Sequence, residues 1–104
     1  MQLREMGHTE IAWATNGRDA LILLKERSTD LIISTWSMPE MDGLSLLKAC
    51  KQDPELKQIP FIMMSTWPEH GPQALEAGAD AYLLKPFFPE ELQEVLRKVA
   101  SSGQ

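Results

Sequence analysis

The stretch from Leu31 to Gly43, LIISTWSMPEMDG, predicts a buried strand that runs into a loop and then a helix, with Thr35 where the strand ends. A short, continuous apolar run is typical of a strand that is covered on both faces in a parallel sheet. Because the carboxyl ends of such strands usually carry the chemistry of an α/β domain, the residue at position 35 decides what this part of the sheet can do.

Further elements alternate on both sides of this stretch. The pattern predicts a helix end, MQLREMG, closed by Gly7, then strand EIAWA and helix GRDALILLKER, capped by Asn16. Asp42 is placed to cap helix GLSLLKACKQ, and strand IPFIMMS, helix PQALEAG, strand AYLLK and helix PEELQEVLRKVA complete the order. The apolar faces expected on GRDALILLKER and PEELQEVLRKVA consist of Ala20, Leu21, Leu23, Leu24, Leu92, Val95, Leu96 and Val99. This alternation predicts an α/β fold with a doubly wound parallel sheet.

Length, charge and cysteine content narrow the class of protein. The chain has 104 residues, enough for one domain, which we place at 1–104. A net charge of -5 disfavours nucleic acid as a partner, and no apolar run is long enough to span a membrane. The single Cys50 cannot form an internal disulfide, which favours a reducing, cytoplasmic location.

Four motifs in the order TWSMPEMDGLSLLK, IPFIMMST, EAGADAYLLKPF and PEELQEVLRKV resemble the receiver domain of bacterial two-component response regulators. The resemblance is strongest to the single-domain chemotaxis type, the CheY-like receivers, and it covers essentially the whole chain. It implies the flavodoxin-like fold with strand order 2-1-3-4-5.

In that family the motif D-x-x-M-P supplies the aspartate that accepts a phosphoryl group from a histidine kinase. Counted back from Met38 and Pro39, that degenerate phosphoacceptor position is Thr35. A neutral hydroxyl is a poor nucleophile without a base and a weak ligand for Mg²⁺. The family's acidic pair follows a strand that would lie before Met1, and Asp30 is at the wrong end of its strand. We therefore expect no metal, no cofactor and no catalytic residue.

Other positions match the family better. Ser65 matches the hydroxyl residue that contacts the phosphoryl group, Lys85 the phosphate-pairing lysine and Tyr82 the aromatic switch residue. The bond from Lys85 to Pro86 resembles one that the family keeps cis. The residues alone leave simpler interpretations open. These are a solvated Lys85, hydrogen bonds of Ser65 and Thr35 to each other or to the backbone, and a Tyr82 packed into the core.

The segment after Ser65 departs from the family pattern. Thr66 and Trp67 stand where the family usually has a small residue, so the crevice is expected to be partly filled. TWPEHGPQALEAGA is also slightly shorter than in the chemotaxis type, so its helix should begin late, near Gly71 and Pro72.

The same comparison suggests where a partner binds. Output in the family follows the face of the fourth helix, fifth strand and fifth helix, which points to Tyr82, Phe87 and Phe88 as partner contacts. His8 and His70 are isolated in the sequence, and we do not expect them to bind a metal.

The resemblance also predicts an N-terminally truncated sheet of about four strands, because no strand precedes MQLREMG. Loss of the central strand would leave buried backbone groups unpaired, at about 1 to 3 kcal/mol each. EIAWA can pair directly with DLIIST, a partner chain can supply cover or a strand, or the native polypeptide can begin upstream of Met1. The first arrangement would expose an apolar sheet face, and we expect a homodimer to bury it.

These features favour a degenerate receiver, or pseudo-receiver: a phosphorylation-independent protein-interaction module in two-component signal transduction, without enzymatic activity. Three alternatives stay open. The chain can be a functional phosphoacceptor in a phosphorelay, which would need the absent carboxylates. It can be modified on Thr35 or Ser65 by a serine/threonine kinase, or be an inactive fragment.

Overall fold

Four strands alternate with four helices in the computed structural model, which describes residues 11–14, 16–26, 29–38 and 41–102. The predicted α/β alternation is confirmed, and the predicted helix end MQLREMG with its Gly7 lies outside the described residues. In chain order the elements are β1 (Ile11–Ala14), α1 (Gly17–Glu26), β2 (Leu31–Thr35), α2 (Gly43–Gln52), β3 (Phe61–Ser65), α3 (His70–Glu76), β4 (Ala81–Leu84) and α4 (Pro89–Ser102).

The described strands form one parallel sheet in the order β1-β2-β3-β4. Ile11 lies opposite Leu31, so β1 pairs directly with β2, as in the first of the three arrangements considered above. Thr35 lies opposite Met64, and Ser65 lies opposite Leu84. Because all pairs are parallel, the strands end together at one side of the sheet, called here the carboxyl edge, and begin together at the opposite side, the amino edge.

The two faces of the sheet carry separate cores. One face packs against α1, α2 and α3 through buried residues that include Ile32, Leu46, Phe61, Met63 and Ala74. The other packs against α4, and its buried residues are Leu31, Ile33, Ile62, Met64, Leu83, Leu96 and Val99. Leu92 and Val95 lie partly buried beside this second core, so the apolar face predicted for α4 is confirmed.

The expectation that the second face would be largely exposed is wrong for its described residues. Leu31, Ile33 and Ile62 are fully or almost fully buried within the single chain. Trp13, which shares this face by strand alternation, is the exception at 57% exposure. The sheet therefore offers one exposed aromatic ring on β1 rather than a broad apolar surface.

The predicted helix caps are found in the structure, whereas the predicted apolar face of α1 is only partly correct. The Asn16 carboxamide oxygen accepts the backbone N–H of Arg18 at 3.0 Å, and Asp42 accepts that of Ser45 at 2.8 Å, so both predicted caps are confirmed. Leu23, however, is 50% exposed and does not belong to the inner face of α1. The inner face follows Gly17, Ala20 and Leu24, and a step of 100° per residue turns Leu23 to the flank.

Polar side chains close the amino edge. One Asp80 carboxylate oxygen accepts the backbone N–H of Phe61 at 2.8 Å and lies 3.6 Å from the Lys51 ammonium. Lys51 also donates to the carbonyl of Ile59 at 3.4 Å. Nearby, Lys25 of α1 pairs with Asp53 after α2.

Within the described residues, no helix is long and apolar enough to cross a membrane.

Candidate functional site

The candidate site lies at the carboxyl edge, where β2, β3 and β4 end side by side. Lys85 is the first residue after β4. Its ammonium donates a hydrogen bond of 3.1 Å to the hydroxyl of Thr35, the last residue of β2. The interpretation of Lys85 as a solvated lysine is therefore wrong. Since β3 lies between these two strands, the Lys85 side chain crosses the end of β3 to reach Thr35.

Ser65, at the end of β3, is bonded to the chain that follows it. Its hydroxyl oxygen lies 2.7 Å from His70 Nδ1 and accepts the backbone N–H of Trp67 at 3.2 Å. The hydroxyl oxygen is thus the acceptor from Trp67, and the imidazole tautomer decides which partner donates in the bond between Ser65 and His70. The interpretation that Ser65 and Thr35 bond to each other or to the backbone is confirmed in part, because Ser65 bonds to the backbone N–H of Trp67. The side-chain partners are His70 for Ser65 and Lys85 for Thr35.

His70 is not isolated, contrary to the expectation from the sequence. Its ring stacks on Trp36, with ring centroids 3.8 Å apart and an interplanar angle of 13°. The imidazole thus contacts the residue after β2 and the last residue of β3 while it begins α3. The one signal for this placement is the short segment from Ser65 to His70, which brings the start of α3 back over the strand ends.

Backbone contacts fix the strand ends in position. Lys85 N–H donates to the Ser65 carbonyl at 2.7 Å, and Trp36 N–H donates to the Met64 carbonyl at 2.8 Å. The start of α2 also lies close to the end of β2. A Cβ added at Gly43 would lie only 2.4 Å from the Thr35 carbonyl oxygen. The bond between Lys85 and Pro86 is cis, as the resemblance implies.

Tyr82 packs inward and supports the same segment. Its ring lies beside Gly71, where an added Cβ would approach it to 3.0 Å, and its hydroxyl donates to the Trp67 carbonyl. The late start of the helix is confirmed, since α3 begins at His70 and includes Gly71 and Pro72. The segment with Thr66 and Trp67 is therefore tied to β4 as well as to β3.

The predicted partner contacts differ in their surroundings. Phe87 is half-buried and packs against the second core, whereas Phe88 is 72% exposed. Trp67 and Leu84 are exposed large apolar residues as well. Phe88 is thus the most available of the three residues proposed from the sequence, and Tyr82 contributes mainly through its packing.

The donor atoms of this site do not fit a magnesium ion. Mg²⁺ prefers oxygen ligands that include carboxylates, whereas the side chains in contact here provide two hydroxyls, an imidazole and a cationic ammonium. Asp42 is used as the cap of α2. No group of three or more His, Cys, Asp or Glu side chains in the described part of the chain could hold a metal ion.

The remaining candidate nucleophile is a core residue. Cys50 lies on the inner side of α2, and burial raises the pKa of its thiol to about 11. A thiol with that pKa is almost entirely protonated at neutral pH, and the thiolate is the reactive form. Cys50 is therefore a packing residue.

Comparison with known proteins assigns the family. Residues 1–97 match the response regulator receiver domain. The chemotaxis protein CheY of Pseudomonas aeruginosa is 34% identical over 99 residues, which cover 93% of this chain and 80% of that protein. The chain belongs to the response regulator receiver family and is a CheY-like receiver domain of two-component signalling.

Solved structures agree with this assignment. The chemotaxis response regulator CheY4 of Vibrio cholerae superposes with a TM-score of 0.74 at 36% identity, covering 83% of this chain and 73% of that one. The receiver domain of a sensor histidine kinase from Pseudomonas aeruginosa superposes with a TM-score of 0.78 at 26% identity, over 95% and 82% of the chains. That second structure holds a magnesium ion in its active-site cleft. The flavodoxin-like receiver fold predicted from the sequence is confirmed.

Proposed function

We propose that this chain is a degenerate receiver that acts as a phosphorylation-independent protein-interaction module in two-component signalling and has no enzymatic activity. The observation that carries the proposal is the 3.1 Å hydrogen bond from the Lys85 ammonium to the Thr35 hydroxyl. It joins the phosphate-pairing lysine of the resemblance to the residue in the phosphoacceptor position.

The chemistry of the carboxyl edge supports this proposal. A carboxylate attacks a phosphoryl donor as an anion, whereas the neutral Thr35 hydroxyl needs a base, and its described side-chain partner is a cation. Ser65 and Lys85, which would contact a phosphoryl group, already bond to His70 and Thr35. The side-chain contacts normally reserved for a phosphoryl group are therefore made within the chain.

The strand order of the described sheet differs from the one that the resemblance implies. The resemblance places the first strand of the receiver between the strands that are β1 and β2 here, yet these two pair directly. In the described sheet no gap separates them.

Intact mass measurement after incubation with acetyl phosphate and Mg²⁺ tests the proposal. We expect no phosphoryl adduct on the wild-type chain under conditions that phosphorylate a control receiver with aspartate in the D-x-x-M-P motif. An adduct that mild base removes would overturn the proposal in favour of the phosphoacceptor alternative. Thr35→Asp is the matched variant, because an adduct on it alone would assign the loss of phosphorylation to residue 35.

The partner in this proposal is another protein, since receiver domains act in signalling by contacting proteins. Tyr82, Phe87 and Phe88 remain the proposed contacts, with Phe88 the most exposed. A homodimer is one form of this partnership, and Trp13 offers an exposed apolar ring for it. Light scattering across a wide concentration range, on the wild type and on Phe88→Ala and Trp13→Ala, tests for the dimer and shows which of the two surfaces forms it.

The buried free thiol of Cys50 is consistent with a reducing compartment, so the proposal includes a cytoplasmic location. The acidic composition, with a net charge of -5, supports a protein rather than nucleic acid as the partner. Fractionation of cells that produce the full-length native polypeptide tests the location.

A further inference from the structure

We propose that a groove at the amino edge binds an arginine- or lysine-rich segment of a partner protein. The groove lies between the end of α1, the start of β2 and the loop from α2 to β3, and its volume is about 500 Å³. The inference deepens the proposed function, on which it rests for the premise that the partner is a protein. It adds a second docking surface, at the end of the sheet opposite to Thr35 and Lys85.

The floor of the groove is apolar and held in place. Leu24 and Leu56 are 4% and 3% exposed and belong to the core that α1, α2 and α3 share with the sheet, and Ile59 packs against that core. Backbone hydrogen bonds fix the loop that carries two of these side chains. They run from Leu56 N–H to the Asp53 carbonyl at 3.1 Å and from Ile59 N–H to the Leu56 carbonyl at 3.0 Å. A floor that is formed before binding costs little to order when a ligand arrives.

The rim of the groove carries an excess of negative charge. Among the described lining residues, three are carboxylates, Glu26, Asp30 and Glu55, and one is the ammonium of Lys25. Lys25 is paired with Asp53, so its charge is already compensated within the chain. Glu26 and Glu55 are exposed, so a cation can reach both from solvent. A groove lined mainly by one sign of charge raises the local concentration of ligands of the opposite sign.

The floor and the rim together select the chemistry of the occupant. Within the described residues, no group of three or more His, Cys, Asp or Glu side chains could hold a metal ion, so the rim carboxylates are spread apart rather than convergent. Spread carboxylates favour several separate cationic groups over a single ion. Lysine and arginine side chains meet this need, because their aliphatic stems pack on apolar surface while their charged ends stay at its rim. Nucleic acid and anionic lipid carry the wrong charge for this groove.

The groove and the candidate site are far enough apart to be tested separately. β2 begins beside the groove, directly after Asp30, and ends at Thr35. Its five residues span about 16 Å at about 3.3 Å per residue. The stack of Trp36 on His70 lies at that far end. A segment bound in the groove should therefore leave the carboxyl edge unchanged.

NMR titration of the ¹⁵N-labelled full chain tests the inference, with the end-blocked peptide Arg-Lys-Leu-Lys-Arg as the probe. We expect saturable shifts of the backbone amide signals of Thr29, Leu56 and Ile59, which line the groove. The amide signal of Ser65, at the carboxyl edge, should not shift. The titration gives the location and the affinity of the probe in one experiment.

Two rim variants and two control peptides separate binding in the groove from general attraction. Glu26→Gln and Glu55→Gln should each bind the probe about threefold more weakly than the wild type. Glu90→Gln removes an exposed carboxylate from α4, on the other face of the sheet, and should leave the affinity unchanged. Arg-Lys-Ser-Lys-Arg should bind the wild type about threefold more weakly than the probe, because it lacks the apolar side chain. Glu-Glu-Leu-Glu-Glu should not bind.

The inference would be overturned by an absence of shifts in the groove, by saturable shifts confined to another surface, or by an equal loss of affinity in Glu90→Gln and the rim variants. Equal binding of the serine peptide, or binding of the acidic peptide, would overturn it as well. The amide spectrum of each variant verifies that it is folded, and the peptide controls on the wild type decide if a rim variant is not. The acetyl phosphate experiment does not depend on the groove, so failure of the two proposals can be distinguished.

Discussion

The two edges of the sheet both carry lysine side chains that bond across neighbouring elements, but they use them differently. At the amino edge, Lys51 and Asp80 bond to backbone groups of β3 and of the loop before it. At the carboxyl edge, Lys85 and His70 bond to the side-chain hydroxyls of Thr35 and Ser65. Backbone amides of a buried strand must be paired in any folded state, whereas side-chain hydroxyls can change partners. The amino edge therefore stabilises the fold, and the carboxyl edge holds side-chain groups that can exchange one partner for another.

The largest effect on stability is expected at Gly43, where the backbone of α2 lies close to the backbone at the end of β2. Gly43→Ala should destabilise the fold by about 2 kcal/mol or more, because its Cβ would lie 2.4 Å from the Thr35 carbonyl oxygen. Denaturant unfolding measures this effect. The control is Ser45→Ala on the exposed side of the same helix, which should be neutral or slightly stabilising. Equal stability of the Gly43 variant and the wild type would mean that α2 does not approach β2 this closely.

Asp80→Ala should follow, with a loss of about 1.5 to 2 kcal/mol. The change leaves the buried Phe61 N–H without its acceptor and removes the carboxylate beside Lys51. Asp80→Asn retains an oxygen acceptor and should lose clearly less in the same unfolding experiment. If both variants lose the same amount, the charge of Asp80 rather than its hydrogen bond stabilises the amino edge.

Lys85→Met should change stability by less than about 1 kcal/mol, since it removes one partly buried hydrogen bond to a neutral hydroxyl. Comparison with Lys48→Met, an exposed lysine on α2, isolates the contribution of the contact with Thr35. A loss as large as that of Asp80→Ala would contradict the distinction between the two edges and make Lys85 a structural residue.

The smallest effect is a pH dependence at the amino edge. The hydrogen bond with Asp53 raises the pKa of Lys25 above 10.5, and the same bond, helped by the Glu55 N–H, lowers the pKa of Asp53 below 3.8. A lowered carboxyl pKa stabilises the fold above its unfolded value, and this contribution is lost as the pH falls through the folded value. A raised lysine pKa stabilises below 10.5, and this contribution is lost as the pH rises through the folded value.

The free energy of unfolding of Lys25→Met should therefore differ from that of the wild type by a constant amount between about pH 5 and 9. The difference should shrink in acid as Asp53 is protonated and in alkali as Lys25 loses its proton. Denaturant unfolding at a series of pH values measures it. A difference that persists unchanged at pH 3 would show that Lys25 acts through packing of its aliphatic chain rather than through its charge.

The sequence predicted the elements well because local rules decide them. Apolar runs and the caps Asn16 and Asp42 depend on neighbours in the chain, and every predicted element that falls in the described residues is found. The prediction failed where tertiary packing decides. Leu23 matches an apolar helical pattern, but the line of small residues Gly17 and Ala20 rotates α1 so that Leu23 faces outward.

At the site, the sequence identified Thr35, Ser65, Tyr82 and Lys85 through the family motifs but not their contacts. Nothing local indicates that Lys85 reaches Thr35, since the two are 50 positions apart. His70 was missed because its partners belong to two different strand ends: Trp36 follows β2, and Ser65 is the last residue of β3. Only the pairing of β2 with β3 brings these strand ends together.

The stack of Trp36 on His70 also makes the carboxyl edge optically distinct. Indole emission responds to contact with a neighbouring imidazole, and Trp36 is half-buried, whereas Trp13 and Trp67 are both exposed. In a chain with phenylalanine in place of Trp13 and Trp67, emission would come from the indole that touches His70. The fluorescence lifetime of that single tryptophan would then distinguish stacked from unstacked molecules and give their relative amounts, with no label attached.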